Sequence, residues 1–160
     1  MPRVVSLAYT PAGVERKPAD RYARVSADAV ELVPGYGVAG DLKGGSRKRQ
    51  LNVLFAEAVA ELRSEGYKAG PGELGEQVVI AGLNPAAAAP GTRLRLGLAV
   101  VEVTERRNGC ARFEHIQGRP KEASAGRIGV MAKVVAGGAV RVGDAVEVVE
   151  SPGRPGAGGQ

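Results

Sequence analysis

The chain has 160 residues, which is enough for one compact domain and too few for a second of ordinary size. Hydrophobic residues make up 44% of it, so a wholly disordered chain is excluded, while 24 Gly and 10 Pro predict many turns. The net charge of +5 favours an anionic ligand. No fully apolar stretch approaches the ~20 residues that cross a bilayer, and a single Cys fits a reducing compartment. We therefore expect a cytoplasmic protein that does not interact with membranes.

Alternating apolar and polar residues predict the first two strands, at residues 3–10 and 27–33. The connector at residues 11–24 is polar, and we expect it to be exposed. Residues 35–49 carry five glycines and four basic residues. Because a glycine-rich stretch is too flexible to pack stably in the core, it indicates a loop that approaches a ligand.

One helix is predicted after this loop. Asn52 is a candidate N-cap, and Gly66 supplies a stop. Between them, Phe55, Val59 and Leu62 form an apolar stripe at helical spacing. We therefore expect the helix to begin after Asn52 and to pack through this stripe.

Further short strands are predicted at residues 78–80, 94–103, 128–135, 139–142 and 145–149. Within 94–103 the alternation slips by one residue between Val100 and Val101, which predicts a bulge or bend in one long strand, as at a barrel corner. Six or seven short strands with one good helix predict a mostly β fold, a small β-barrel with one or two helices. We expect a single domain over residues 1–150 and a disordered Gly/Pro-rich tail over 151–160.

Four local patterns occur in a fixed order along the chain. They are Gly35-Tyr36-Gly37-Val38-Ala39-Gly40-Asp41, Pro71-Gly72-Glu73-Leu74-Gly75-Glu76-Gln77, Arg107-Asn108-Gly109-Cys110 and Gly126-Arg127-Ile128-Gly129. At these spacings the chain, from about residue 33 to residue 149, resembles the MOSC domain, the molybdenum cofactor sulfurase C-terminal domain. The resemblance implies a cytosolic β-barrel that binds a molybdopterin-type cofactor or carries sulfur towards it. It also implies that the family's Cys, Glu and late Arg fall on Cys110, Glu76 and Arg127.

Cys110 is the residue on which the functional prediction depends. Molybdenum takes sulfur ligands, and Cys110 is the only thiol in the sequence. Its neighbours Arg106, Arg107 and Arg112 favour the thiolate over the thiol. Cys110 is therefore the predicted catalytic and metal-binding residue, with Arg107 as a cofactor-binding neighbour. The alternative is an inert cysteine buried in an Ala/Val-rich core.

The remaining candidates are polar residues suited to a phosphate and a flat heterocycle. On the glycine-rich loop, Lys43, Arg47 and Arg49 can bind phosphate, although a solvated basic loop is an equal alternative. Glu76 and Gln77 can hydrogen-bond a pterin edge or simply cap a turn. Arg127 can reach the anion or pair with Glu76.

Together with the resemblance, these residues predict a protein that binds a molybdenum cofactor. If it is an enzyme, the resemblance implies that it reduces N-oxygenated small molecules. It would need an external electron donor, because the sequence carries no flavin, haem or iron–sulfur motif. No pyridoxal phosphate is expected, since that cofactor is associated with a separate desulfurase domain. One His and one Cys argue against a protein-built zinc site.

Three alternatives stay open. The first is a non-enzymatic carrier that uses a Cys110 persulfide and a sulfur-transfer protein as its partner. The second is a basic nucleic-acid-binding β-barrel, which the low aromatic content of 4% disfavours. The third is a barrel kept only for contact with other proteins.

Overall fold

The computed structural model describes residues 1–15 and 17–152, and this part is mostly β. Its strands are β1 (Arg3–Tyr9), β2 (Val25–Ser26), β3 (Ala29–Val33), β4 (Gly37–Val38), β5 (Leu51–Phe55), β6 (Val78–Ala81), β7 (Arg93–Leu96), β8 (Ala99–Arg106), β9 (Val130–Ala136), β10 (Gly138–Arg141) and β11 (Val146–Glu150). Its helices are α1 (Ala56–Ser64), α2 (Ala111–Gln117) and two 3-10 turns, Pro85–Ala88 and Lys121–Ser124. Most of the predicted tail lies outside the described residues. Neither α-helix of the described part has the length and apolar character needed to span a bilayer.

The strands form one large sheet and one small sheet. The large sheet has eight strands in the order β11-β7-β8-β9-β5-β6-β1-β2, and the small sheet has the order β10-β3-β4. All neighbouring strands are antiparallel except β5 and β6, which are parallel and are connected through α1. A parallel pair needs such a crossover connection, and α1 provides it on one face of the sheet.

The large sheet curls until its two ends meet. Arg3 of β1 forms a bridge with Ala145, just before β11. On either side of this bridge, the Val4 N–H donates to Asp144 O at 2.9 Å and the Val146 N–H donates to Pro2 O at 3.0 Å. This closure confirms the predicted mostly β, barrel-like architecture with two helices.

Two hydrophobic clusters lie on opposite faces of the curled sheet. The barrel interior contains Leu7 of β1 and Val101 and Val103 of β8. Because alternate residues of a strand point to the same face, Val101 and Val103 both point into the interior. The outer cluster lies where α1 covers the sheet, with Val59 and Leu62 packed beside Phe113 of α2. Because α1 and α2 share this cluster, the chain that connects β8 to α2 is anchored at both of its ends.

Asn52 does not cap the predicted helix. It belongs to β5, and α1 begins only after Phe55, whose side chain makes no capping hydrogen bond. The segment is extended because Leu51–Phe55 pairs with β9 on one side and β6 on the other, which overrides the local capping signal. The predicted stop is confirmed: Gly66 follows the helix with φ +94°.

The predicted long strand at residues 94–103 is two strands. β7 and β8 form a hairpin in which Leu96 pairs with Ala99, so Gly97 and Leu98 make the turn. Gly97 has φ +57° and Leu98 is 77% exposed. The predicted bulge or bend is confirmed, because β8 shifts register against β9 between Val100 and Val101, where the apolar alternation slips. The prediction of one long strand is wrong, because the hairpin turn divides the segment into two strands.

Candidate functional site

A cleft of about 400 Å³ opens beside the exposed thiol of Cys110. Cys110 follows β8 and immediately precedes α2, at a junction fixed by the packing of both elements. The lining of this cleft, called the thiol cleft below, includes five of the predicted site residues: Lys43, Arg49, Gln77, Arg107 and Cys110. The alternative of an inert, buried cysteine does not agree with this position.

The thiol cleft is strongly basic. Its lining includes Glu105 as an acidic residue and the basic residues Arg24, Lys43, Arg49, Arg107 and Arg112. Positive groups that converge on one concave surface raise the local concentration of anions. The cleft is therefore suited to a ligand that carries phosphate or another multiply charged group.

Arg107 has the most unusual environment of these residues. It is 7% exposed, and its Nη1 atom is buried without a hydrogen-bond partner in the described structure. Burial lowers the pKa of Arg107, although the nearby Tyr22 and Glu76 oppose this effect. The guanidinium carbon lies 5.6 Å from the ring centre of Phe113, which helps to fix its position. A buried guanidinium N–H ordinarily has an acceptor, so an anionic ligand would complete this site.

Gln77 lines the cleft but is engaged within the protein. Its Oε1 accepts from the Asn52 N–H at 2.8 Å, and its Nε2 donates to Asp41 Oδ2 at 3.1 Å. The other carboxylate oxygen of Asp41 accepts from the backbone N–H groups of Thr10 and Lys43. This buried network connects the glycine-rich loop to the wall of the cleft, so Gln77 and Asp41 hold Lys43 in position.

Glu76 points away from the thiol cleft. Its side chain is 2% exposed, and its carboxylate accepts from the N–H groups of Gly72 at 2.7 Å and Leu74 at 3.1 Å. Burial raises the pKa of Glu76, while the hydrogen bonds from the turn oppose that shift. The structure thus places Glu76 as the cap of the 71–77 turn and does not bring it to Cys110.

Arg127 is also separated from the thiol cleft. Its Nη1 lies 2.7 Å from Oε1 of Glu61 on α1 and 2.6 Å from Oε2 of Glu65, the residue that follows α1. These hydrogen bonds raise the pKa of Arg127, with Glu65 contributing most. The pairing of Arg127 with Glu76, one of the two alternatives for this residue, is therefore wrong, because Glu61 and Glu65 bind Arg127 instead.

The glycine-rich loop divides its basic residues between two recesses. Lys43 and Arg49 face the thiol cleft, whereas Arg47 lines a second recess with Arg93 and Lys133. The sequence prediction grouped Arg47 and Arg49 together because they are two residues apart. The loop backbone separates them, so the structure brings only one of the two to Cys110.

Three important lining residues were absent from the predicted site. Tyr22 and Arg24 come from the 11–24 connector, which was expected to be exposed, and Arg112 comes from α2. Arg24 donates to Gly75 O at 2.9 Å and to Thr10 Oγ1 at 3.0 Å, so it joins the connector to the cleft wall. The available sequence signal was Tyr22 itself, an aromatic residue in a chain that has only six.

Comparison with known families agrees with this geometry. The family model of the MOSC domain matches residues 40–147, which include β5 to β9 and the whole Cys110 junction. The chain therefore belongs to the MOSC domain family. No curated protein matches it.

Solved structures share the fold at low sequence identity. The YuaD protein from Bacillus subtilis aligns with a TM-score of 0.71 and 20% identity, over 91% of this chain and 94% of that one. YiiM from Geobacillus stearothermophilus aligns with a TM-score of 0.69 and 15% identity, over 94% and 76%. YiiM from Escherichia coli gives 0.68 and 20%, over 92% and 70%. At these identities the comparison establishes a shared fold.

Proposed function

We propose that the thiol cleft binds a molybdopterin-type cofactor and that Cys110 provides a ligand to its molybdenum. The observation that carries this proposal is the unpartnered Nη1 of Arg107, buried in the wall of a basic cleft that also contains an exposed thiol. Membership in the MOSC family supports it, because the family is associated with this cofactor.

The side chains present are chemically suited to that cofactor. A thiolate is a ligand that molybdenum accepts, and Cys110 is available for this role. Lys43 and Arg49 would bind the phosphate group, and Arg107 would donate through Nη1 to an oxygen of the ligand. When bound, the cofactor supplies oxygen-atom and electron transfer, while the protein orients it and neutralises its charge.

We further propose that the protein reduces a small N-oxygenated substrate with electrons from an external donor. The cleft is open to solvent, and Cys110 is exposed, so a small molecule can approach the ligand-binding surface directly. The described part of the chain provides basic groups on this surface, which favour the release of an oxyanion or hydroxide from a substrate.

The exposure of Cys110 also supports a second candidate, a carrier that transfers sulfur as a Cys110 persulfide. A partner protein could reach this thiol, because Cys110 is exposed. The two candidates differ in an observable way: the carrier would show an added sulfur atom on Cys110 by mass spectrometry and no sustained turnover.

Metal and pterin analysis tests the leading proposal. The wild type and Cys110→Ser are produced in a host that makes the cofactor, with Ala111→Ser as a matched control that adds a hydroxyl at the next residue. We expect the wild type and the control to contain equal molybdenum and Cys110→Ser to lose at least about 90% of it, because one soft ligand is removed. Equal molybdenum in all three, or none in the wild type, would refute the role of Cys110.

A further inference from the structure

A short segment outside the sheets forms one wall of the thiol cleft. Residues 17–24, called the strap below, belong to no strand, and the backbone hydrogen bond from the Arg24 N–H to Tyr22 O is internal to the segment. Pro18 and Ala23 are nevertheless buried. In the described part of the chain no backbone ladder holds the strap, so side chains must do so. Arg24 holds its C-terminal end through Gly75 O and Thr10 Oγ1.

Arg112 is the main side chain that reaches the strap. Its Nη1 donates to Pro18 O at 2.8 Å and its Nη2 donates to Arg21 O at 3.0 Å. The same guanidinium lies 5.2 Å from the ring centre of Tyr22. A planar fork that binds two carbonyl oxygens and stacks on an aromatic ring is specific to arginine. Arg112 thus connects α2, two residues after Cys110, to the opposite wall of the cleft.

Tyr22 is the strap residue that this arrangement presents to the cleft. It is half-buried and lies among Arg107, Arg112 and Cys110 in the lining. Burial raises the pKa of Tyr22, with Cys110 acting in the same direction and Arg107 in the opposite one. The phenol hydroxyl of Tyr22 can donate a hydrogen bond to an acceptor on a ligand in the cleft.

We propose that Tyr22 contacts the bound anionic ligand and that Arg112 is a positioning residue that holds the strap, and with it Tyr22, against the cleft. This inference rests on the proposed function for the identity of the ligand. It adds two residues to the site, one that touches the ligand and one that acts through the strap. Without Arg112 the part of the strap from Pro18 to Tyr22 loses its connection to α2, whereas Arg24 stays bound to Gly75 O.

Three variants separate these roles. Arg112→Lys keeps the positive charge and removes the planar fork, Tyr22→Phe keeps the ring and removes the hydroxyl, and Arg95→Lys is the same replacement on β7 outside the cleft. The first readout uses cofactor-free protein: the rate at which trypsin cleaves after Arg21, followed by mass spectrometry. Local opening limits such cleavage, so its rate reports on the strap without any ligand.

We expect Arg112→Lys to raise the cleavage rate about tenfold, because both hydrogen bonds from the guanidinium to the strap are weakened. Tyr22→Phe and Arg95→Lys should cleave at the wild-type rate. An unchanged rate in Arg112→Lys would overturn the positioning role of Arg112.

The second readout is the pterin content of protein made in a cofactor-producing host. We expect Tyr22→Phe to retain severalfold less pterin than the wild type, with Arg112→Lys also reduced and Arg95→Lys unchanged. Full retention by Tyr22→Phe would overturn the ligand contact. If the wild type itself contains no pterin, the proposed function fails and the ligand contact fails with it, whereas the cleavage rates still decide the role of Arg112.

Discussion

At the scale of single residues, the thiol cleft depends on a glycine in its wall. Gly75 has φ +84°, and a Cβ atom at this position would lie 2.7 Å from Arg107 Nη2 and 3.0 Å from Tyr22 Cζ. The carbonyl of the same residue accepts from Asn52 and Arg24. Gly75 therefore allows these two cleft-lining side chains to pack directly against the backbone, and any larger residue would displace them.

Replacing Gly75 by Ala tests this close approach. Gly143→Ala is the matched control, because Gly143 also has positive φ, +98°, but has open space around it. Both variants should lose roughly 1–2 kcal/mol of unfolding free energy through backbone strain, measured by urea denaturation. Gly75→Ala alone should also lose bound cofactor, since it moves Arg107 and Tyr22. Equal cofactor content in both variants would show that the contact is unimportant.

Residue types alone could not show which polar side chains already form hydrogen bonds within the protein. Cys110, Lys43, Arg49 and Arg107 were predicted from the sequence and do share the thiol cleft. Glu76 was an equally reasonable candidate, yet its carboxylate is used by the N–H groups of its own turn. A sequence shows that a carboxylate is present, whereas its hydrogen bonds depend on how the turn folds back.

At the scale of elements, the glycine-rich loop directs its basic side chains into two different recesses. Arg49 lines the thiol cleft, and Arg47 lines the recess with Arg93 and Lys133. The sorting arises because the loop is anchored at Asp41, which accepts from the Lys43 N–H, and again where β5 begins at Leu51. Between Asp41 and Leu51 the loop lies between the two recesses and contributes side chains to both.

This sorting predicts different outcomes for two neighbouring charge removals. Arg49→Gln should reduce cofactor retention by about tenfold, because one charge-assisted hydrogen bond to the ligand is lost. Arg47→Gln should retain the wild-type amount, since its side chain lies in the other recess. Pterin content after purification measures both, and melting temperature confirms that both variants fold. Equal loss from the two variants would mean that the recesses act as one site.

The elements themselves were easier to predict than their ends. β1, β3 and β6 follow period-2 alternation and were recognised as strands. β5 was missed because Phe55, Val59 and Leu62 fit a helical stripe, although Phe55 is the last strand residue. The strand is specified by its partners β6 and β9, which are distant in the sequence, and no local pattern contains that information.

At the scale of the whole molecule, closure of the large sheet places the cleft on a rigid frame. The bonds between β1 and the start of β11 join the two sides of the large sheet around the main core. The outer cluster then fixes α1 and α2 to this frame. Cys110 is therefore held between a closed sheet and a packed helix.

Hydrogen exchange tests the closure. The amides of Val4 and Val146, which bond to Asp144 O and Pro2 O, should exchange within about tenfold of the amide of Val103 in the sheet interior. If the sheet were open at this seam, the two amides would instead exchange as fast as that of Ala27, beside the short edge strand β2. Site-resolved exchange by NMR measures all of these amides in one experiment.

A solitary thiol on an open surface has a practical consequence. Because the sequence contains one cysteine and its sulfur is exposed, a maleimide dye will attach at a single position, with a stoichiometry of one per chain. The dye would sit beside Tyr22, Arg107 and Arg112, where its emission responds to whatever occupies the space. Protection of Cys110 from labelling by added small molecules would then identify compounds that enter the cleft, before any reaction has been assayed.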